Sequence, residues 1–349
     1  MKKHLLTNEK NYFKANLHSH SNISDGRLSP EEMKQAYKEK GYSILCITDH
    51  DIMIDHSDLN DEDMLFLKGL EMEFNAPHYP GVDDFDDIST CHICFYSRDP
   101  KNKKQPNSNV DFNHAKCGWC HSEEMRNARE FYGERFEPRY TPDDINKIIR
   151  LANENGFIVT VNHIMWSMEP YEQYIHYDGM FATEIFNTGC HVGGHDDRNS
   201  YIFDLLLKKG KRLFCVCADD NHNGSPLDSQ YSDSFGGWVM VNTDKLEYET
   251  VFAALEKGDF YSSCGPEIKE LYVDVENDTI HIETSNARSI RFISESRRKN
   301  IVIAQKGGSV TSADFKLSRA RKYFRIEVED FEGKLAYSNP YFLDELTKD

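Results

Sequence analysis

The chain has 349 residues and a formal charge of −18, with 39% hydrophobic and 29% charged residues, a composition of soluble globular proteins with room for one sizeable core and a smaller companion. Such acidity argues against a nucleic-acid duplex as partner, because affinity for nucleic acid comes largely from basic groups that neutralise phosphates. No apolar run reaches the roughly 20 residues of a membrane helix, MKKHLLTNEK holds no secretory segment, and nine cysteines lack a disulfide framework, so a cytoplasmic protein with reduced thiols and no membrane contact is expected.

Short apolar runs alternate with helical patterns to about residue 258, which is the α/β signature. Lys14-Ala15-Asn16-Leu17 closes the first strand. Ser29-Pro30-Glu31-Glu32 supplies an N-cap, a proline at the first helical position and a capping-box glutamate, starting a helix that stops near Gly41. YSILCIT, MLFLKGLEMEF, TCHICFY and FIVTVN read as strands of buried character. Before the last of them, Thr141-Pro142-Asp143-Asp144 starts a second helix that ends by Gly156. FATEIF and RLFCVCA are further strands, joined by a helix over NSYIFDLLLKK that Gly210 ends.

From Tyr261 the texture changes. IKELYVDVEN, TIHIETS, SIRFISE, NIVIAQK and KYFRIEVED are strands separated by polar turns, with no helix pattern between them. The expected layout is an α/β unit over 1–260 with an insertion or lid near 97–138, followed by a small antiparallel β-sandwich-like domain over 261–349. The final LAYSNPYFL has a structural role there.

The chemistry lies in the histidines and acids. In an extended strand, residues two apart share a face, so His18 and His20 can reach one point at the strand's end. Asp25 follows them; His50 comes just after the second strand, Glu71 in the third, His92 in the fourth, His163 after the fifth, and Asp220 and His222 after the seventh. In a β/α barrel those ends converge on the face where active sites are built. Nine donors exceed the needs of one tetrahedral zinc and suit two or three divalent ions that share carboxylates. Mixed imidazole and carboxylate ligands suit Zn, Mn or Fe without separating them.

The order His-x-His, Asp, Thr-Asp-His, Glu, His, Asn-His and Asp-x-His, spread over about residues 13 to 225, resembles the PHP family, named for its polymerase and histidinol-phosphatase members. The resemblance implies a distorted seven-stranded β/α barrel and metal-dependent hydrolysis, most often of phosphate esters. It implies His18, His20, Glu71 and Asp220 near one ion, Asp25, His50 and His222 near a second, and His92 and His163 with Glu71 bridging near a third. The expected substrate is a small phosphate monoester or diester, attacked in line by a hydroxide shared between metals. Asp25 and the rim histidine His222 are the candidate proton donors to the leaving oxygen.

A phosphate site usually adds a protein cation, and Arg198, at a helix start, is the candidate clamp. The competing account makes it a solvated arginine paired with Asp196 or Asp197. His191, His195 and Arg27 are further candidate substrate contacts. Two other functions stay open: hydrolysis of a carboxyl ester, carbamate or amide at the same metals, and a noncatalytic binding module, against which the intact ligand set weighs. The C-terminal region shapes the pocket mouth, forms a homo-oligomer or binds a polymer.

Two motifs are set aside. Cys117-x-x-Cys120-His121 has the spacing of a c-type haem attachment, but that attachment needs export; a separate zinc site with His114, or local packing around Trp119, fits better. The acidic loop GVDDFDDIS lacks the spacing of a calcium loop.

Overall fold

The computed structural model describes the chain apart from residues 1, 8, 79–80, 82–83, 108–121, 135–138, 196–197, 299 and 347–349. The helix signals act where the sequence places them. Ser29 accepts from Glu32 N–H while the Glu32 carboxylate accepts from Ser29 N–H, and Pro30 opens the helix Pro30–Glu39. Thr141 caps the helix Pro142–Glu154, whose Ile145, Ile148, Ile149 and Ala152 recur at helical spacing and are buried together. Gly210 ends Ser200–Lys209 with φ 97°, in the left-handed region a glycine enters without penalty.

The strands are β1 (Lys2–Leu6), β2 (Asn11–Asn16), β3 (Ile44–Ile47), β4 (Leu65–Asn75), β5 (Thr90–Ser97), a short pair β6 (Lys104–Pro106) and β7 (Glu130–Tyr132), β8 (Phe157–Val161), β9 (Ala182–Asn187), β10 (Phe214–Ala218), β11 (Trp238–Thr243) and β12 (Phe260–Ser263). After them come β13 (Ile268–Asp274), β14 (Thr279–Ala287), β15 (Ser289–Ser294), β16 (Asn300–Ile303), β17 (Val310–Lys316), β18 (Tyr323–Glu329) and β19 (Leu335–Ser338). The result is a mixed α/β fold dominated by one large sheet, ordered β10-β9-β8-β5-β4-β3-β2-β11-β12-β19-β18-β15-β16. β2, β3 and β4 run parallel, as do β8, β9 and β10. β5 runs against both neighbours. The β4–β5 connection carries only the single turn Phe85–Asp87 among its described residues, with no crossover helix, so the chain turns back on itself.

A second sheet, β1-β13-β14-β17, is antiparallel throughout. Its Leu271, Val273, Ile280 and Ile282 share a core with Phe292, Phe324, Ile326 and Val328 of the large sheet. β1, at the start of the chain, is hydrogen-bonded to β13, and its Leu6 is buried in that core. The two regions are pinned by buried Arg325 on β18, which donates to Asp204 of the helix Ser200–Lys209 at 2.8 Å and to Glu327 at 2.7 Å. β1, β6, β7, β11, β12 and β17 have no counterpart among the strands read from sequence. The seven described cysteines are free thiols and buried. Among the described residues no helix is long and apolar enough to cross a membrane. His114, Cys117, Trp119, Cys120 and His121 lie outside the described residues, as do Asp196 and Asp197.

Candidate metal centre

The segment after β2 is stitched to the segment after β10. Ser19 and Asn221 form an isolated parallel bridge, His20 N–H donates to Asn221 O at 3.0 Å, and Asp220 N–H donates to His18 O at 2.9 Å. This puts His18-Ser19-His20 beside Asp220, some two hundred residues along the chain. Asp49 accepts from Ser21 N–H (2.8 Å), Ser21 Oγ (2.7 Å) and Ser24 Oγ (2.6 Å), so the turn after His20 folds back and presents Asp25 to the same cup. A side chain at Gly26 would begin 2.2 Å from His20 O, so only glycine fits that fold-back. Asp220 sits at φ 51°, a left-handed conformation that aspartate tolerates and that neighbouring bonds enforce.

All nine predicted donors meet. His18 Nε2 and His20 Nε2 lie 3.1 Å apart, each 3.1 Å from Asp220 Oδ1 and 3.2 to 3.3 Å from the Glu71 carboxylate. Asp25 Oδ2 is 3.3 Å from His222 Nε2 and 3.7 Å from His50 Nε2. Glu71 Oε1 is 3.3 Å from His92 Nδ1 and 3.6 Å from His163 Nε2. These, with Glu184 beside His18 and His163, make four groupings able to hold a cation: His18, His20, Glu71 and Asp220; His20, Asp25, His50 and His222; Glu71, His92 and His163; and His18, His163 and Glu184. Glu71, on the long strand β4, stands at their centre.

The far sides of these ligands are held. His18 Nδ1 donates to Glu184 Oε1 at 2.7 Å, His163 Nδ1 contacts Ser167 Oγ at 3.0 Å, and His222 Nδ1 donates to Asp220 O at 3.0 Å. The Glu184 carboxylate and the Asp220 carbonyl only accept, so they favour a proton on Nδ1 of His18 and His222 and leave Nε2 for the cup. Glu184 Oε2 also accepts from His163 N–H and Asn187 Nδ2, both at 2.9 Å. Asn162 Nδ2 donates to Glu71 Oε1 at 2.6 Å, and Asn187 Nδ2 to Asp220 Oδ2 at 3.1 Å. Glu184, Asn162 and Asn187 were not among the site residues expected from sequence. The signal for Glu184 was a lone acid inside the apolar strand FATEIF.

Burial opposes charge on every member of the cup, yet mutual attraction prevails for most. Against that burial, Asp220, Glu71 and Glu184 hold the His18 imidazole well above its ordinary range; Asp220, Glu71 and Asp25 do the same for His20. His163 is pushed up to about 9 against its burial by Glu71, Asp220 and Glu184. Glu71, Asp220 and Asp25 are held far below the usual carboxylate range, despite burial, by the surrounding histidines. Burial, aided by His20, pushes His50 down. Converging lone pairs need cations. Glu71 Oε2, His20 Nδ1, His50 Nδ1 and His92 Nε2 are moreover buried without a hydrogen-bond partner among the described residues. The donor set fits divalent metals of the kind that imidazole and carboxylate hold.

Asp25 and His222 are the ligands most open to solvent, with 27% and 37% of their side chains exposed. A cavity of ≈ 510 Å³ opens over Asp220 and His222 and is walled by Trp166, His195, Tyr231 and Asp233. Trp166 packs edge-on against His163 and His92, with ring centroids 4.9 and 5.3 Å away. Arg27 is exposed at the rim, its N–H donating to His222 O at 2.9 Å. His191 and Arg198 are placed elsewhere: both line a different cavity, while His195 lines the metal-side one. No Lys or Arg lines the metal-side cavity among the described residues.

Residues 16–197, more than half of the chain, match the model of the PHP domain. Among solved structures, a two-domain protein from Bacteroides vulgatus containing a predicted PHP-like metal-dependent phosphoesterase is 14% identical, with 96% of each chain covered and a TM-score of 0.44. A Bifidobacterium adolescentis chain named as a metal-dependent phosphoesterase is 14% identical over 61% of this chain and 89% of its own, with a TM-score of 0.37. An amidohydrolase from Chromobacterium violaceum with bound sulfate and no metal is 16% identical over 60% and 87%, with a TM-score of 0.34. Among curated proteins none matches the chain.

Proposed function

The chain belongs to the PHP domain family, and from that footing we propose that it hydrolyses a small phosphate monoester or diester at a site for two or three divalent ions (Zn, Mn or Fe). The observation that carries this is the convergence of nine imidazoles and carboxylates on one buried cup, with Glu71 shared. His18, His20, Glu71 and Asp220 would hold one ion; Asp25, His50 and His222 a second; His92 and His163, with Glu71, a third. The run of seven strands from β10 to β2, tied by the Ser19–Asn221 bridge, is the distorted barrel that carries them. Divalent cations bound there supply Lewis-acid stabilisation of a charged phosphoryl oxygen and lower the pKa of water to near neutrality.

The chain's own residues do the rest. Glu184, Ser167 and Asn162 orient the ligands, so little reorganisation accompanies the reaction. Trp166 covers the His92 and His163 side and excludes water there. Of the two half-open residues at the mouth, 3.3 Å apart, His222 is the one placed to deliver a proton to the leaving oxygen, because the surrounding histidines keep Asp25 ionised. His195 and Arg27 contact the substrate at the rim.

One observation favours a second function, hydrolysis of a carboxyl ester, carbamate or amide: the metal-side cavity has no Lys or Arg among its described lining residues, and Arg198 lines a different cavity. A substrate screen with metal analysis separates the two. Phosphate release that EDTA abolishes and Mn or Zn restores supports the phosphoesterase. Turnover confined to carboxylic esters or amides replaces it with the second function, and metal-loaded protein that hydrolyses nothing overturns both.

A further inference from the structure

The turn Thr188–Val192 separates two cavities. Gly189 and Cys190 line the metal-side one, Thr188 and His191 line another of ≈ 520 Å³, and Val192 lines both. The second cavity lies where the two regions of the chain meet. Lys14, Lys40 and Trp238 come from the metal-binding part, Lys334 and Tyr337 from the C-terminal part. Its size is that of small-molecule sites, which run from about 300 to 1,000 Å³.

Its charge is the reverse of the chain's. Lys14, Lys40, Arg198 and Lys334 all line it, and no Asp or Glu does among the described residues, although the net charge is −18. Lys14 is the telling member. Its ammonium lies 4.0 Å from the ring centroids of both Tyr42 and Trp238, and the hydrogen bond it makes, to Lys40 O, is long at 3.5 Å. Burial, with Lys40 adding and Asp219 opposing, pushes it down to about 8. A half-buried cation on β2 without a carboxylate partner among the described residues costs free energy that an anionic ligand recovers. Lys334 meets Glu332 at 3.1 Å, on the protein's exposed surface. Phe235 and Trp238 add ring surface to the same walls.

We propose that this second cavity binds a phosphorylated ligand with a planar ring, of the nucleoside-diphosphate kind, separately from the substrate turned over at the metals. Four cations suit two phosphate groups, and the aromatic walls suit a ring. The C-terminal region thereby supplies one side of a binding site.

Calorimetric titration of ADP into the full chain, stripped of metal with EDTA, tests this. One ADP is expected per chain, held more tightly than inorganic pyrophosphate, with Lys14→Met and Lys334→Gln each weakening binding about tenfold. His195→Ala, on the metal-side cavity, leaves ADP binding unchanged. Lys334→Gln alters an exposed side chain and gives the answer even where Lys14→Met does not fold. Absence of ADP binding, native affinity in both lysine variants, pyrophosphate bound as tightly as ADP, or loss of binding in His195→Ala each overturns the proposal.

Discussion

Replacing Glu184 by glutamine removes a charge and puts a donor where an acceptor stood, with little change of shape. In the native chain the carboxylate accepts from His18 Nδ1 at 2.7 Å and from His163 N–H and Asn187 Nδ2 at 2.9 Å. A glutamine has one oxygen for these three donors, so its amide nitrogen must face at least one of them. A hydrogen bond to a charged group is worth about 1.5 to 3 kcal/mol, and 1.4 kcal/mol is about a factor of ten. Metal binding should therefore weaken about 10- to 100-fold, the usual scale for a partner that orients a ligand. One effect opposes this. Glu184 helps hold His18 above its ordinary range against burial, so in the variant fewer protons compete with the metal. That offset shrinks as pH rises, so the loss should be larger at about pH 9 than near about pH 7. Chelator competition for Zn or Mn at both pH values measures it, with thermal melts to confirm folding. Native affinity at the higher pH in a folded variant would refute the claim that Glu184 orients the centre.

Three further outcomes are expected. Because His18 and His20 sit above the ordinary range and His163 at about 9, metal uptake should release protons, and affinity should rise with pH up to at least about pH 9; calorimetry in buffers of different ionisation heat counts those protons, and affinity independent of pH contradicts the coupling. Burial pushes the Glu169 carboxyl up from 4.5 to about 8, with Tyr177 and Cys91 opposing, so its neutral form belongs to the fold and its contribution, complete below the unfolded value, is lost as pH rises through the folded one. Glu169→Gln keeps an acceptor for Tyr177 and cannot ionise, so its stability relative to the native chain should grow between about pH 5 and pH 8, by at most about 1.4 kcal/mol per pH unit; a difference flat with pH in denaturation curves counts against it. Gly26→Ala forces a methyl to within 2.2 Å of His20 O, so the turn carrying Asp25 must move, and elemental analysis should find less metal per chain than in the native protein, an unchanged content being the contrary result.

The order of histidines and acids along the chain was enough to single out nine side chains that the fold brings together, because residues set at strand ends leave a mark that does not depend on how the strands pair. The helix starts at Ser29 and Thr141 were equally legible, since caps act within one turn. Pairing partners were not. β5 reads as one more buried strand, and its reversed direction follows from a connection without a crossover helix. β1 and β17 are short or half-polar, and only the sheet they edge makes them strands.

Sequence by itself therefore determined the kind of chemistry, since imidazole and carboxylate carry their ligand character wherever they stand. Only the tertiary structure decided which charges share a space. It turned Glu184 onto His18, set His195 over the cavity beside Asp220 and His222, and carried His191 and Arg198, four residues before it and three after it, to another cavity shared with Lys14 and Lys334. The physical reason is range: a side chain's chemistry is local, whereas the field and the walls around it come from segments that meet only when long-range strand pairing closes the sheet.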